Sequence, residues 1–180
     1  SNGNSLTSRY AGSGDGKSSA VAVGGTGGGI DVTIPTAQVV GTSSVTVAVN
    51  AASIAAGGKV TISASGNSEA STYANTTGGA VLASVGKAQA TTKITSAITS
   101  VTLGADVVIT AGADLAITAL SDHTAKAAAY SFGGGIIGAK IVQTTARVTY
   151  TTTVTVGLRN HLTAAGALSI HASSDGLVRT

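Results

Sequence analysis

An eleven-residue block occurs three times in this chain, each time in diverged form. It reads Ile-Ala-Ala-Gly-Gly-Lys-Val-Thr-Ile-Ser-Ala at 54–64 and returns at 109–119 and at 162–172. The starting positions are 55 and then 53 residues apart. Self-similarity at a nearly fixed period of this size is typical of proteins in which each repeat covers the apolar surface of its neighbours. The block therefore predicts a stacked repeat architecture.

Within each block, apolar residues alternate with polar ones, which is the two-residue period of a half-buried β-strand. The many β-branched Thr and Val residues oppose a helix. Because one position in successive repeats shares one environment, the inward positions should form columns. These predicted core columns are Ile54, Ile109 and Leu162; Val60, Leu115 and Leu168; Ile62, Ile117 and Ile170; and Ala64, Ala119 and Ala172.

Each block is preceded by a Gly-rich segment and a strand of alternating Val and Thr. The Gly-rich segments lie at 27–30, 77–80 and 133–136, and the alternating strands at 44–49, 98–103 and 151–156. Ala-Gly pairs inside the blocks predict tight turns in which Gly adopts a positive φ. The sequence thus predicts one repeat array with units at approximately 1–66, 67–121 and 122–180.

The ends of these units carry further expectations. Asn67, Asp122 and Asp175 are predicted to occupy equivalent loops, and 1–4 resembles the same loop. The first unit is expected to be longer, with a Gly/Ser-rich insertion around 11–19, and Pro35 to mark a strand start or an edge. Nothing resembles a capping repeat, so open strand edges are expected at both ends.

The composition favours a thin interior. Charged residues make up 9% and aromatic residues 3% of the chain, against roughly 25% charged residues in a typical soluble domain. Low charge with 43% apolar residues argues against disorder. An interior of Ala, Val and Ile requires closely spaced layers. We therefore expect an all-β fold, a β-solenoid (β-helix) of about three stacked repeats of 53–55 residues.

The order of the Gly-rich segment 27–30, the alternating strand 44–49 and the block 54–64 resembles the repeat regions of giant bacterial filamentous adhesins. These are the filamentous-haemagglutinin-like and leukotoxin-family surface proteins. The resemblance implies a secreted or surface-exposed β-solenoid stalk, exported through a partner pore or a comparable route. It transfers no catalytic residues, because this part of the family has none.

Several function classes are disfavoured by the residues. The ten Lys and Arg residues are scattered, whereas nucleic-acid binding needs a clustered basic surface. No apolar stretch approaches the roughly 18 residues of a membrane helix, and no signal peptide is visible at Ser1. The absence of Cys excludes disulfides and Cys-based metal sites. Because the chain contains no Met, we expect a processed chain or part of a longer one.

Three motifs offer only weak support for a cofactor or a metal. The glycines at 133–138 match the dinucleotide pattern, but no helical pattern and no acidic residue follow at the required spacing. The glycines at 12–16 and 24–28 faintly resemble calcium-binding repeats but lack an Asp in each turn. His123, His161 and His171 show no zinc-ligand spacing. We expect no cofactor and no metal.

The sequence predicts a structural segment of an extracellular fibre or adhesin stalk without catalysis. Its partners would be neighbouring repeats, copies of itself through open strand edges, or an unidentified host or cell-surface ligand. The alternative is a processed subunit that assembles end to end into a filament. A lesser alternative is ice binding through Thr149, Thr151, Thr153 and Thr155. A carbohydrate-acting enzyme is disfavoured because Glu69 is the only Glu and the six Asp residues are scattered.

Overall fold

The computed structural model describes residues 5–12 and 15–180, and the described residues form β-strands and no helix. The prediction of an all-β protein is confirmed. The ten strands are β1 (Ser5–Gly12), β2 (Asp15–Thr33), β3 (Thr36–Val49), β4 (Ser53–Ala56), β5 (Val60–Leu103), β6 (Val108–Ala111), β7 (Leu115–Gly134), β8 (Ile137–Val156), β9 (His161–Ala164) and β10 (Leu168–Arg179).

All strand pairs are parallel. One seven-stranded sheet has the order β1-β3-β5-β7-β10, with β2 and β8 also paired to β5, and a three-stranded sheet has the order β4-β6-β9. The chain returns to the same register at intervals close to the predicted period, since Ile54 lies opposite Ile109 and Ile109 opposite Leu162. We call β2–β4 the first layer, β5–β6 the second and β7–β9 the third; β10 begins a fourth layer.

The long strand β5 folds back on itself and forms a narrow arm. The hydroxyl oxygens of Thr72 and Thr92 lie 2.7 Å apart across the interior, and a Cβ on Gly86 would lie 2.9 Å from Thr76 Oγ1. The strand therefore reverses near 81–82, at the Gly-rich segment. The arm encloses mostly Ala, as at Ala74, Ala88 and Ala90, because larger side chains would not fit between faces this close.

The opposite end of each layer is a three-sided lobe. Its walls are the starts of β5, β7 and β10, the short strands β4, β6 and β9, and the ends of β3, β5 and β8. The interior holds larger side chains, including Leu103, Val107, Ile109, Leu115 and Ile117. Three walls enclose a wider space than two, which explains why Leu and Ile concentrate in the repeated blocks.

The turns of the lobe differ from the expected ones. The Ala-Gly pairs do lie at turns, but no positive φ occurs at Gly57, Gly112 or Gly166. Left-handed backbone occurs instead at the preceding turn of each layer, at Ala51, Asp106 and Arg159. At Gly112 the requirement is space, because a Cβ there would contact the backbone of Gly57 in the layer below. The prediction of positive φ at the Ala-Gly pairs was wrong.

The first layer is preceded by an incomplete one. Strand β1 lies along the first part of β3, with Ser5 opposite Thr36, whereas Asp15 lies opposite Asn67. Gly12 lies opposite Ser43 and Asp15 opposite Asn67. The incomplete layer therefore has no residues equivalent to 44–66. The expected insertion around 11–19 is instead this shortened passage. Residues 1–4, predicted to resemble a loop, lie outside the described residues, as do residues 13–14.

Candidate functional site

The structure brings the twelve predicted core residues together in four columns. Val60 lies opposite Leu115, and Leu115 lies opposite Leu168. The column of Ile62, Ile117 and Ile170 and the column of Ala64, Ala119 and Ala172 have the same registers. Ile54, Ile109 and Leu162 form the fourth column in the three-stranded sheet. Stacked apolar side chains therefore join successive layers throughout the lobe.

Burial within these columns is complete in the middle copy of the block and incomplete in the last copy, while Val60 and Ile62 of the first copy are 9% and 8% exposed. Leu115 and Ile117 have a layer on each side and are 0% exposed, whereas Leu168 and Ile170 are 50% and 46% exposed. Ile54 is also only partly buried. Burying a side chain of this size contributes about 1.5–3 kcal/mol. Each layer thus depends on the next for much of its stability.

A polar waist separates the core of the arm from that of the lobe. We define it by the buried residues Ser68, Thr99, Ser121 and His123. The Oγ atom of Ser68 lies 2.6 Å from His123 Nδ1, and Ser121 Oγ lies 2.6 Å from Thr152 Oγ1. His123 Nε2 and Thr99 Oγ1 have no hydrogen-bond partner. Sequence reasoning missed the waist, since Ser and Thr occupy inner and outer faces alike.

Burial lowers the pKa of His123, while the negative charge of Asp122 opposes this shift. The neutral imidazole is therefore favoured, and its ring packs against Tyr150 with 5.6 Å between centroids. Ser68 and His123 have the spacing of a nucleophile and a base. Both are buried, and Asp122 is exposed on the outer face of its strand. A substrate has no access to this pair.

Charged residues on the outer surface form two short ladders between layers. Glu69 accepts a hydrogen bond of 2.9 Å from Lys126 Nζ and lies 3.6 Å from Lys17 Nζ. These contacts, chiefly the hydrogen bond from Lys126, lower the pKa of Glu69. In the lobe, Arg159 donates two hydrogen bonds to Asp106, which lowers the pKa of the Asp106 carboxyl and raises that of Arg159.

The predicted loop positions Asn67, Asp122 and Asp175 lie instead within strands. They are opposite one another in β5, β7 and β10. Together with Ser65, Ser121 and Ser173 they line a cleft of about 310 Å³. The loop prediction was wrong, because Gly66 and the serines allow the chain to bend without interrupting the ladder.

The Thr residues considered for ice binding lie in mixed rows. Thr151 lies opposite Ile98, Thr153 opposite Ser100, and Thr155 opposite Thr102. In the first layer the same rows hold Ser44, Thr46 and Ala48. Thr99 of the second layer is buried in the waist, opposite Thr152. Ordered water at an ice-like spacing would need regular rows, so this surface does not favour ice binding.

The other candidate motifs are dispersed. The glycines at 133–138 span the end of β7 and the start of β8, and no helix follows within the described residues. The segment 24–28 lies inside β2, and 12–16 falls partly outside the described residues. His171 is exposed opposite Thr118, and His161 begins β9. Among residues 5–12 and 15–180 no cluster of three His, Asp or Glu residues could hold a metal.

The sequence also did not reveal an exposed apolar ridge at the end of the arm. We define the tip ridge as Ile30, Val81, Leu82, Ile136 and Ile137, which are between 55% and 80% exposed. Each layer contributes one or two of these residues directly after a Gly-rich segment or a pair of glycines. Each repeat does have an apolar residue after its Gly-rich segment, and this pattern could have indicated the ridge. However, the sequences Gly-Ile and Ala-Val-Leu are equally typical of a buried strand.

Comparison with protein-family models, with curated proteins and with solved structures finds no match to this chain. Within the part of the chain that the structure describes, no helix has the length and apolar character needed to cross a membrane.

Proposed function

We propose that this chain is a β-solenoid of about three stacked repeats of 53–55 residues. The observation that carries this proposal is the shared register of the repeated blocks, in which Ile62, Ile117 and Ile170 lie in one column. Stacked solenoids have layers that contact only their neighbours, and their stability grows with the number of layers. The burial of Ile117 between two layers is consistent with that dependence.

The solenoid acts as a structural segment of an extracellular bacterial fibre or adhesin stalk. A stalk needs a rigid rod whose backbone hydrogen bonds run along its length, and the parallel ladders supply them. The outer faces of β3 and β8 carry hydroxyl groups, as at Thr46 and Thr153, with few charges. The resemblance of the repeats to filamentous adhesins supports a surface location and a role without catalysis.

Antibody labelling of intact cells of the source organism tests this function. Labelled fibres extending from the surface of unpermeabilised cells are the expected result. Label that appears only after the cells are permeabilised would overturn the extracellular assignment. A second antibody against a cytoplasmic protein serves as the control for cell integrity.

Self-assembly into a filament is the second candidate. It is favoured by the half-exposed apolar columns of the outermost strands, such as Leu168 and Ile170 in β10. Unpaired strand edges of this kind are templates for another chain. Electron microscopy of the purified chain separates the candidates: filaments of uniform width favour self-assembly, and monomers or irregular aggregates favour a stalk segment.

A further inference from the structure

The tip ridge is a convex apolar surface on the side of the layers, distinct from their stacking faces. In all three layers the arm reverses direction there, so Ile30, Leu82 and Ile136 project from a narrow edge. Isolated exposed apolar residues are ordinary on protein surfaces, but contiguous ones mark interaction sites. Ile30 and Ile137 both lie opposite Ala83, which directly follows Val81 and Leu82, so the ridge residues of the three layers lie side by side.

Side chains behind the ridge change in polarity with distance from the tip. Phe132 and Lys140 lie three to four residues behind the nearest ridge residue, which corresponds to roughly 10–13 Å along a strand. Tyr130 and Lys87 follow on the two faces of the arm. Phe132 and Tyr130 stack with 6.5 Å between their ring centroids. Side chains across a membrane–water interface follow the same order, with aliphatic groups on the hydrocarbon side and aromatic and cationic groups toward the water.

The exposed charges near the tip have one sign. Lys140 is exposed and Lys87 is partly exposed, whereas the acidic residue of this region, Asp31, is buried in the arm. Glu69 lies at the base of the arm, where Lys17 and Lys126 neutralise it. A cationic rim around an apolar edge is complementary to anionic lipid headgroups, and each Lys near such a surface strengthens binding.

We propose that the tip ridge inserts into the interface of a lipid bilayer that carries anionic headgroups. The aliphatic side chains reach the boundary between headgroups and acyl chains, a depth of about 5–10 Å. Lys87 and Lys140 then lie among the phosphates, and Tyr130 and Phe132 at the interface. The chain contacts the bilayer through its side, which goes beyond its proposed role as a scaffold and does not involve the stacking faces.

A single-Trp reporter tests this insertion directly, because the chain contains no Trp. Leu82→Trp places the probe on the ridge. Leu158→Trp is the matched control, since Leu158 is 76% exposed but lies at a turn of the lobe. Vesicles of mixed phosphatidylcholine and phosphatidylglycerol should shift the Leu82→Trp emission to the blue, and brominated lipid should quench it. The control emission should not change.

Three results would overturn the proposal. One is the absence of a shift at position 82, and another is an equal shift at both positions. The third is a blue shift of Leu82→Trp that depends on protein concentration without lipid, which would show that a second copy covers the ridge. Circular dichroism of both variants without vesicles verifies that each retains the fold of the parent chain.

Vesicle flotation tests the contributions of the ridge and its rim separately. Ile136→Ser should weaken binding to the mixed vesicles about tenfold, as expected for loss of one inserted aliphatic side chain. Lys140→Gln should weaken it about fivefold and have little effect on pure phosphatidylcholine vesicles. Leu158→Ser and Lys59→Gln, on the lobe, are the controls. Equal losses for lobe and tip variants would contradict insertion through the ridge.

Discussion

Ser68 and His123 are hydrogen-bonded partners from adjacent layers, with 2.6 Å between the Ser68 hydroxyl oxygen and His123 Nδ1. The pair lies in the polar waist, between the Ala-rich core of the arm and the Leu- and Ile-rich core of the lobe. The waist is thus a place where two layers contact through polar groups inside the molecule. A buried imidazole there makes the stability of the stack sensitive to proton concentration.

The free energy of unfolding should fall as the pH drops below about 6.5. In the folded chain, burial holds the pKa of His123 below its ordinary value of 6.5. As the pH falls, the unfolded chain therefore binds a proton at His123 before the folded chain does. The stabilisation is complete above pH 6.5 and is lost progressively as the pH falls toward the lowered folded pKa. Urea denaturation at a series of pH values measures this loss.

His123→Gln is the matched variant for this prediction, since Gln can still hydrogen-bond Ser68 but does not titrate. Its unfolding free energy should be flat between pH 6.5 and the range in which carboxylates titrate. His161 and His171 are exposed and remain in the variant. An unchanged pH dependence in His123→Gln would show that another group is responsible.

Gly66 should tolerate no side chain, because a Cβ there would contact Thr99 Oγ1 across the waist. Gly66→Ala is expected to cost about 1–3 kcal/mol of stability, as for other overpacked sites. Gly134→Ala is the control, since a Cβ at Gly134 meets nothing within 4 Å. The double variant Gly66→Ala with Thr99→Ala should regain part of the loss. Equal stability of the two single Gly variants would contradict the close packing at the waist.

Position within a column should determine the cost of a truncation. Ile117 is fully buried between two layers and Ile170 is about half exposed in β10. We expect Ile117→Ala to cost about 2–5 kcal/mol and Ile170→Ala less than about 1 kcal/mol. Chemical denaturation of both variants measures the difference. If the two truncations cost the same, the layers do not cover one another as described.

The contacts of Glu69 with Lys17 and Lys126 can be tested through its pKa, because Glu69 is the only Glu in the chain. NMR of a protein labelled at Glu should give a pKa below the ordinary 4.5. Lys126→Gln should raise that pKa more than Lys17→Gln, since the hydrogen bond from Lys126 is the largest cause of the shift. The reverse order would mean that Lys17 is the main partner of Glu69.

The repeat register was predictable because the large apolar residues of the lobe must be buried, and only the interior of the stack can bury them. Val60, Leu115 and Leu168 align through the sequence period alone, and the structure pairs them. Strand type followed from the two-residue alternation. Both signals depend on a contrast between large apolar and polar side chains, and the lobe is where this contrast is strongest.

The arm and the waist were less predictable, because their residues fit both faces of a strand. Ser68 and Thr72 point inward by the same two-residue alternation that begins at Val60. Their small hydroxyl side chains are common on both faces of a strand, so the residue types do not indicate burial. His123 points inward by the alternation that begins at Leu115, and the 55-residue period places it opposite Ser68, but a lone His among Ser and Thr residues gives no sign of burial. The tip ridge was missed because an apolar residue after glycine suggests burial.

The most direct test of the stacked architecture is a methyl–methyl NOE spectrum of the protein labelled at Ile. Ile117 should give cross-peaks to both Ile62 and Ile170, its neighbours at the usual strand spacing of about 4.8 Å. Ile62 and Ile170 are two layers apart, at roughly twice that distance, and should give a weak cross-peak or none. A spectrum in which Ile117 contacts neither residue, or in which Ile62 contacts Ile170 directly, would contradict the parallel, in-register stack.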